Sequence, residues 1–229
     1  MKLTQILTAS ALALALPTMA SAAIIGVSSG LSTGTEGGTF ASIITAPVDV
    51  LEDGTANNAQ QGFNEQQNIV TASSYSYLDN SLATQILAAG TRISSHMIFL
   101  NTAGNGVTKH GGVTWTFSDA IIGVMADRNG TMEIASSAEL GAAGTTYETG
   151  NGTSLSARGL EGTNGSGTND DGFSFAGSVL TLEMNVSEPG DWIRVITAAP
   201  STVPVPAGLP LVLTALGAFG LMRRKKKSA

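Results

Sequence analysis

Val113-Thr114-Trp115-Thr116-Phe117 alternates apolar and hydroxyl side chains with a period of two. That is the pattern of a strand with one face in a core and a threonine face toward water. Outward from it, residues 40–45, 92–100, 121–125, 131–134, 179–186 and 192–197 form comparable short runs rich in Ile, Val, Phe and Thr. Turn chemistry separates them: Glu52-Asp53-Gly54, Gly104-Asn105-Gly106, Arg128-Asn129-Gly130, Asn151-Gly152 and Asp171-Gly172 all combine glycine with a short polar side chain. Only residues 81–89 read as a short helix. About eight to ten strands at this spacing predict an all-β fold, a β-sandwich or jelly-roll-like body over residues 23–197. Residues 141–171 have few apolar anchors and read as one or two long surface loops.

Composition agrees with that class. The chain has 229 residues with 28 Gly, no Cys and 12% charged residues. Without cysteine there is no disulfide framework, no thiolate nucleophile and no thiolate metal site. The net charge of -6 conceals a segregation: between residues 23 and 202 only Arg92, Lys109, Arg128, Arg158 and Arg194 stand against all 17 acids. A body that acidic is repelled by nucleic-acid phosphate, so nucleic acid is excluded as a partner. Divalent cations, cationic surfaces and neutral glycans remain.

The two ends read as targeting segments. Lys2, an apolar run over residues 6–16, Pro17 and then Ala20-Ser21-Ala22 form a signal peptide over residues 1–22, with signal peptidase cutting between Ala22 and Ala23. At the other end, residues 198–202 read as a linker to a three-part segment over residues 203–229. Val203-Pro204-Val205-Pro206-Ala207 is held extended by its prolines. An apolar stretch bounded by Leu209 and Met222 reads as a short transmembrane helix, and Arg223, Arg224, Lys225, Lys226 and Lys227 close it as a basic stop. Twelve to fourteen helical residues rise about 18 to 21 Å, short of a hydrocarbon core of about 30 Å. Such an anchor suits a temporary stay in the inner membrane.

This layout of proline motif, apolar helix and terminal basic cluster resembles the PEP-CTERM class of sorting signals, in its VPLPA variant, with Val205 where that variant has Leu. The resemblance covers residues 203–229 only. It implies a Gram-negative host, processing near the motif by an exosortase-type membrane enzyme, and delivery through an inner-membrane intermediate to the cell surface or an exopolysaccharide matrix. Gly90-Thr91-Arg92-Ile93-Ser94-Ser95-His96 and Gly190-Asp191-Trp192-Ile193-Arg194-Val195 are also similar to segments of exported proteins with such tails, which implies no particular activity.

Candidate chemistry in the body is sparse. Gly26-Val27-Ser28-Ser29-Gly30 matches the G-x-S-x-G pattern of serine hydrolases, but the pattern needs a strand before it and a helix after it, and here it lies in a Gly/Ser/Thr stretch. The only histidines are His96, in an apolar strand and expected to be structural, and His110, expected to be solvated in a glycine-rich turn. Asn169, Asp170 and Asp171, preceded by Asn164 and Ser166, are candidate oxygen ligands for Ca²⁺, the one cofactor the sequence leaves open, with Asp49, Asp119 and Asp127 as further contributors. Tyr75, Tyr77 and Tyr147 are candidates for stacking on sugars if exposed, though scattered tyrosines are commonly rim or core residues. Asp191 and Arg194, flanking Trp192, are expected to form a structural salt bridge. No catalytic residue stands out. The expectation is an exported surface or matrix protein with a non-enzymatic structural or interaction role. The alternative is a carbohydrate-binding or polysaccharide-acting β-sandwich, calcium-dependent if the acidic loop binds.

Overall fold

The computed structural model describes residues 22–51, 54–102, 106–149, 159–160, 171–187 and 190–199. The sorting motif, the apolar stretch from Leu209 to Met222 and the basic stop lie outside the described residues, as do Ala20 and the linker beyond residue 199. The body forms one compact unit, Ser21–Pro200. Its first strands are β1 (Ile24–Ser28), β2 (Thr33–Gly34), β3 (Ser42–Ile43), β4 (Gln61–Asn64), β5 (Ile69–Val70), β6 (Tyr75–Leu78) and β7 (Thr84–Leu87). Then come β8 (Arg92–Leu100), β9 (Thr108–Phe117), β10 (Ile121–Met125), the helix α1 (Thr131–Leu140), β11 (Gly172–Ala176), β12 (Val179–Val186) and β13 (Asp191–Ala198).

They assemble into two sheets. The first runs β1-β9-β12-β11, with β2 also on β9; the second runs β3-β4-β8-β13-β10-β6-β7, with β5 also on β8. All pairings are antiparallel except β3 with β4. Alternation in β9 works as its sequence predicts: Val113, Trp115 and Phe117 are fully buried while Thr114 and Thr116 face outward, half-buried. Those three side chains join Leu180, Leu182 and Met184 of β12 to meet Ile98, Leu100, Val124, Ile193 and Val195 of the second sheet in one core. Gly62 of β4 lies directly under the Trp115 ring, where a Cβ would sit 2.6 Å from it. The indole therefore reaches across the interlayer space.

The centre of the second sheet, at β8 and β13, is buried on both faces. Its far side carries a second layer of packing: Ile93, Met125, Leu87 and Ile196 pack with Leu140 of α1, and Phe63, Met97, Phe99 and Trp192 pack with Val50, Ala142 and Tyr147. This explains why β8 and β13 are buried at nearly every position instead of alternating.

Four local expectations are corrected. Residues 81–89 are not helical, because Asp79 turns the chain by accepting from Ser81 N and Ala83 N, Leu82 takes a left-handed φ of 60°, and residues 84–87 pair with β6. Residues 131–134 open a helix instead of a strand: the Asp127 side chain accepts from Met132 N at 2.7 Å, satisfying one backbone donor of the first turn, and from Thr131 Oγ1. The glycine-rich stretch after His110 is not a turn but a bulge in β9. Gly112 has φ 64°, and the β12 register shifts between Leu182 and Met184. The segment after residue 141 is more than surface loop, since Tyr147 and Leu160 are both core residues.

Candidate functional site

Among the described residues, the buried histidines and the buried arginine each sit in a polar cluster whose side chains are spent on one another. The first surrounds Gln60, fully buried between the sheets. Its backbone N–H donates to His110 Nδ1 at 3.1 Å, its amide donates to the carbonyls of His110 and Leu182 at 2.8 and 3.3 Å, and its Oε1 accepts from Trp115 Nε1 at 3.0 Å. Because Nδ1 of His110 accepts, Nε2 carries the proton and donates to the Gly30 carbonyl at 3.1 Å. His110 is thus buried, not solvated, and burial lowers its pKa, partly opposed by the bond to Gly30. The bulge at Gly112 is what turns the ring inward, and no local pattern in Lys109-His110-Gly111 reports it.

The second is His96 on β8, fully buried as a structural residue. Asn64 Oδ1 accepts both Ile24 N–H and His96 Nδ1–H at 2.9 Å, so Nε2 is unprotonated and accepts from Thr197 Oγ1 at 3.1 Å. Burial pushes the imidazole pKa down to about 3. A neutral ring with both nitrogens engaged and Phe117 at 4.9 Å is neither a general base nor a metal ligand.

The third is Arg194 on β13. Its Nε and Nη2 grip Glu65 Oε2 and Oε1 at 2.7 and 2.9 Å; Nη1 donates to the Glu133 carbonyl at 2.8 Å and to Ser136 Oγ, and Nη2 also reaches Ser137 Oγ at 3.1 Å. All five guanidinium donors are used, and the cation sits 5.5 Å from the Tyr147 ring centroid. The expected pair with Asp191 does not form: three residues apart on a strand, the two side chains leave opposite faces. Beside this cluster the Glu133 carboxyl is completely buried, with no hydrogen-bond partner in reach of either oxygen at ordinary geometry. Burial pushes its pKa well up, and the Asp127 charge adds to the rise. Asp127 goes the other way: hydrogen bonds from Thr131 and Met132 outweigh its partial burial and hold it below the ordinary range.

The remaining candidates are not brought together. Asp171 is buried and its Oδ1 accepts from Asn185 N at 2.6 Å, fastening the start of β11 to β12; Asn169 and Asp170 lie outside the described residues. Asp49 bonds Thr55, Asp119 bonds Ser118 and Asp127 caps α1, each in its own turn. Among the described residues no group of three or more His, Asp or Glu is placed to hold a metal. Ser28 ends β1, and the chain beyond it carries no helix before β2, so the hydrolase pattern lacks its elbow. The tyrosines are not an exposed stacking row: Tyr147 is buried with its hydroxyl accepting from Ala142 N at 2.7 Å, and Tyr75 is half-buried, donating to Glu139 at 2.6 Å. Ala22 and Ala23 are described; Ala22 is buried and Ala23 precedes β1 directly.

Among the described residues, two surfaces are candidates for a ligand. Across the outer face of the first sheet, register places Ser28, Thr114, Thr181 and Ser174 in one row over four strands. No aromatic side chain shares the paired outward positions. A groove of about 370 Å³ lies between β6–β7 and the start of α1, lined by Ser74, Tyr75, Ser76, Thr84, Thr131 and Met132. No protein-family model, curated protein or solved structure matches the chain. Among the described residues no helix is long and apolar enough to cross a membrane.

Proposed function

We propose that the chain is an exported surface or matrix protein whose β-sandwich body has a non-enzymatic structural or interaction role, freed from the inner membrane by processing at its C-terminal sorting signal. The observation that carries this reading is the match between fold and signals. The compact unit spans Ser21–Pro200, its first strand begins one residue past the expected Ala22–Ala23 cut, and its last strand ends at Ala198, five residues before Val203. Both cuts leave every strand intact. The body itself supports a non-enzymatic role, because His96, His110 and Arg194 are consumed by internal hydrogen bonds and the outer sheet face offers hydroxyls instead of reactive groups.

Intact mass spectrometry of the protein recovered from surface and medium fractions of its host tests the reading. The expected mass starts at Ala23 and ends near residues 203–207. Replacing Pro204 and Pro206 with Ala is expected to leave the chain uncut in the inner membrane. Normal release of that variant, or a wild-type mass that still includes Arg223 to Lys227, would overturn the sorting claim.

The groove beside Tyr75 favours a second reading, a carbohydrate-binding or polysaccharide-acting body. Its hydroxyls suit a neutral sugar more than a charged ligand. Saturable binding of neutral oligosaccharides, lost on Ser76→Trp, would support it. Binding unchanged by that variant would remove the groove from consideration.

A further inference from the structure

The first two residues of the expected mature chain are bonded with unusual completeness. Ala23 N donates to Ser118 Oγ at 2.9 Å, and Ser118 Oγ in turn donates to Asp119 Oδ2 at 2.8 Å. Ser118 N returns a bond to the Ala23 carbonyl at 2.9 Å. One residue on, Ile24 N donates to Asn64 Oδ1, the same oxygen that holds His96, and the Ile24 side chain enters the core between the sheets. The start of β1 is thus fastened to the β9–β10 turn by its backbone and to the second sheet through Asn64.

Cleavage between Ala22 and Ala23 converts that donor from an amide N–H into an ammonium with three protons and a full charge. We infer that Ser118 and Asp119 form a docking site for the processed amino terminus, in which the new ammonium keeps the Ser118 bond and gains the Asp119 carboxylate as its counter-charge. The inference rests on the N-terminal half of the reading proposed above. It assigns to these two side chains a role that begins only after processing. In the precursor, Asp119 faces a neutral peptide group, and among the described residues no cation pairs with it. After the cut, the same residues hold the chain end in register, so that Ile24 stays in the core and β1 stays on β9. The groups that bear on the ammonium are Asp119 from the β9–β10 turn and, behind Asn64, the neutral His96 on β8 with Thr197 on β13. Asp119 is the only carboxyl group among them.

The sign of the effect follows from linkage. A carboxylate beside the ammonium raises its pKa above the unfolded value of about 7.7 to 8.0. The stabilisation is therefore fully present below that value and is lost as pH rises through the folded pKa. The site is partly open to water, so the effect is small, about two- to threefold in the protonation equilibrium.

Processed protein from the host is to be taken first for N-terminal mass analysis, then for acylation of the α-amine at about pH 6.5, well below the amine pKa, in native buffer and in denaturant, for wild type, Asp119→Asn and Ser118→Ala. The expected result is a chain starting at Ala23 whose amine reacts two- to threefold more slowly in the native wild type than in Asp119→Asn, with all three equal in denaturant. A chain starting elsewhere overturns the processing reading together with this site. A chain starting at Ala23 with equal native rates in wild type and Asp119→Asn overturns the docking site alone.

Discussion

His96 and Glu133 are buried ionisable groups whose folded pKa values are shifted in opposite directions by the same burial, and they tilt the pH dependence of stability in opposite directions. His96 has a folded pKa of about 3 against an ordinary value near 6.5. The unfolded chain therefore binds the proton first, and stability falls as pH drops from about 6.5 toward 3, by roughly 2 to 3 kcal/mol at pH 4.5. Denaturant titrations at pH 7 and 4.5 are expected to show this loss in wild type and a much smaller one in His96→Gln. An equal loss in both would place the acid sensitivity elsewhere. Glu133 has a raised folded pKa, so its cost is absent below the ordinary carboxyl range and grows as pH rises above it. Glu133→Gln, which removes the charge and keeps the shape, is expected to be at least as stable as wild type at pH 8 and to gain nothing at pH 4. The apolar strand around His96 pointed to its structural role, but between Lys109 and Gly111 nothing local shows that His110 is buried; its partners arrive from 50 and 80 residues away.

At the scale of elements, α1 is held to β13 by the Arg194 cluster more than by its own sequence. The helix begins after Gly130, which is left-handed at φ 64° and offers no side-chain cap, so Asp127 supplies the cap from three residues upstream. Its buried positions include Glu133 and Ser136, which answer the guanidinium, alongside Leu140. Arg194→Ala is expected to cost about 3 to 5 kcal/mol, because Glu65 is then left charged and buried without its partner. The double variant Arg194→Met, Glu65→Leu is expected to recover most of that loss in a thermal or denaturant melt. A double variant no better than the single one would mean the five hydrogen bonds, and not the uncompensated charge, set the cost. Here the sequence misled in both directions, toward a helix at residues 81–89 and a strand at residues 131–134. Propensity over so few residues was outweighed by sheet pairing in one case and by a remote cap in the other.

For the whole molecule, the two sheets and the layer beyond them form one compact unit over Ser21–Pro200. The chain of residues 23–199 is expected to melt cooperatively within about 3 °C of the full-length protein, since it keeps every strand. Circular dichroism melts of the two chains measure this, and a much larger fall would mean that the ends contribute to the fold. The sequence by itself determined the strand class, the threonine face of β9 and the acidic body, because a period of two and a charge count are local properties that survive any tertiary arrangement. It also carried the only reading of the two ends, where prolines, apolar runs and basic clusters are read from their own chemistry. Tertiary structure alone decided that β8 and β13 are covered on both faces, that His110 is buried, that Arg194 pairs with Glu65 across 129 residues, and that Asp171 is spent on Asn185. Each of those depends on which distant segment arrives at a face. Partner choice in a fold of long-range antiparallel pairs is set by register and burial, which no window of neighbouring residues contains.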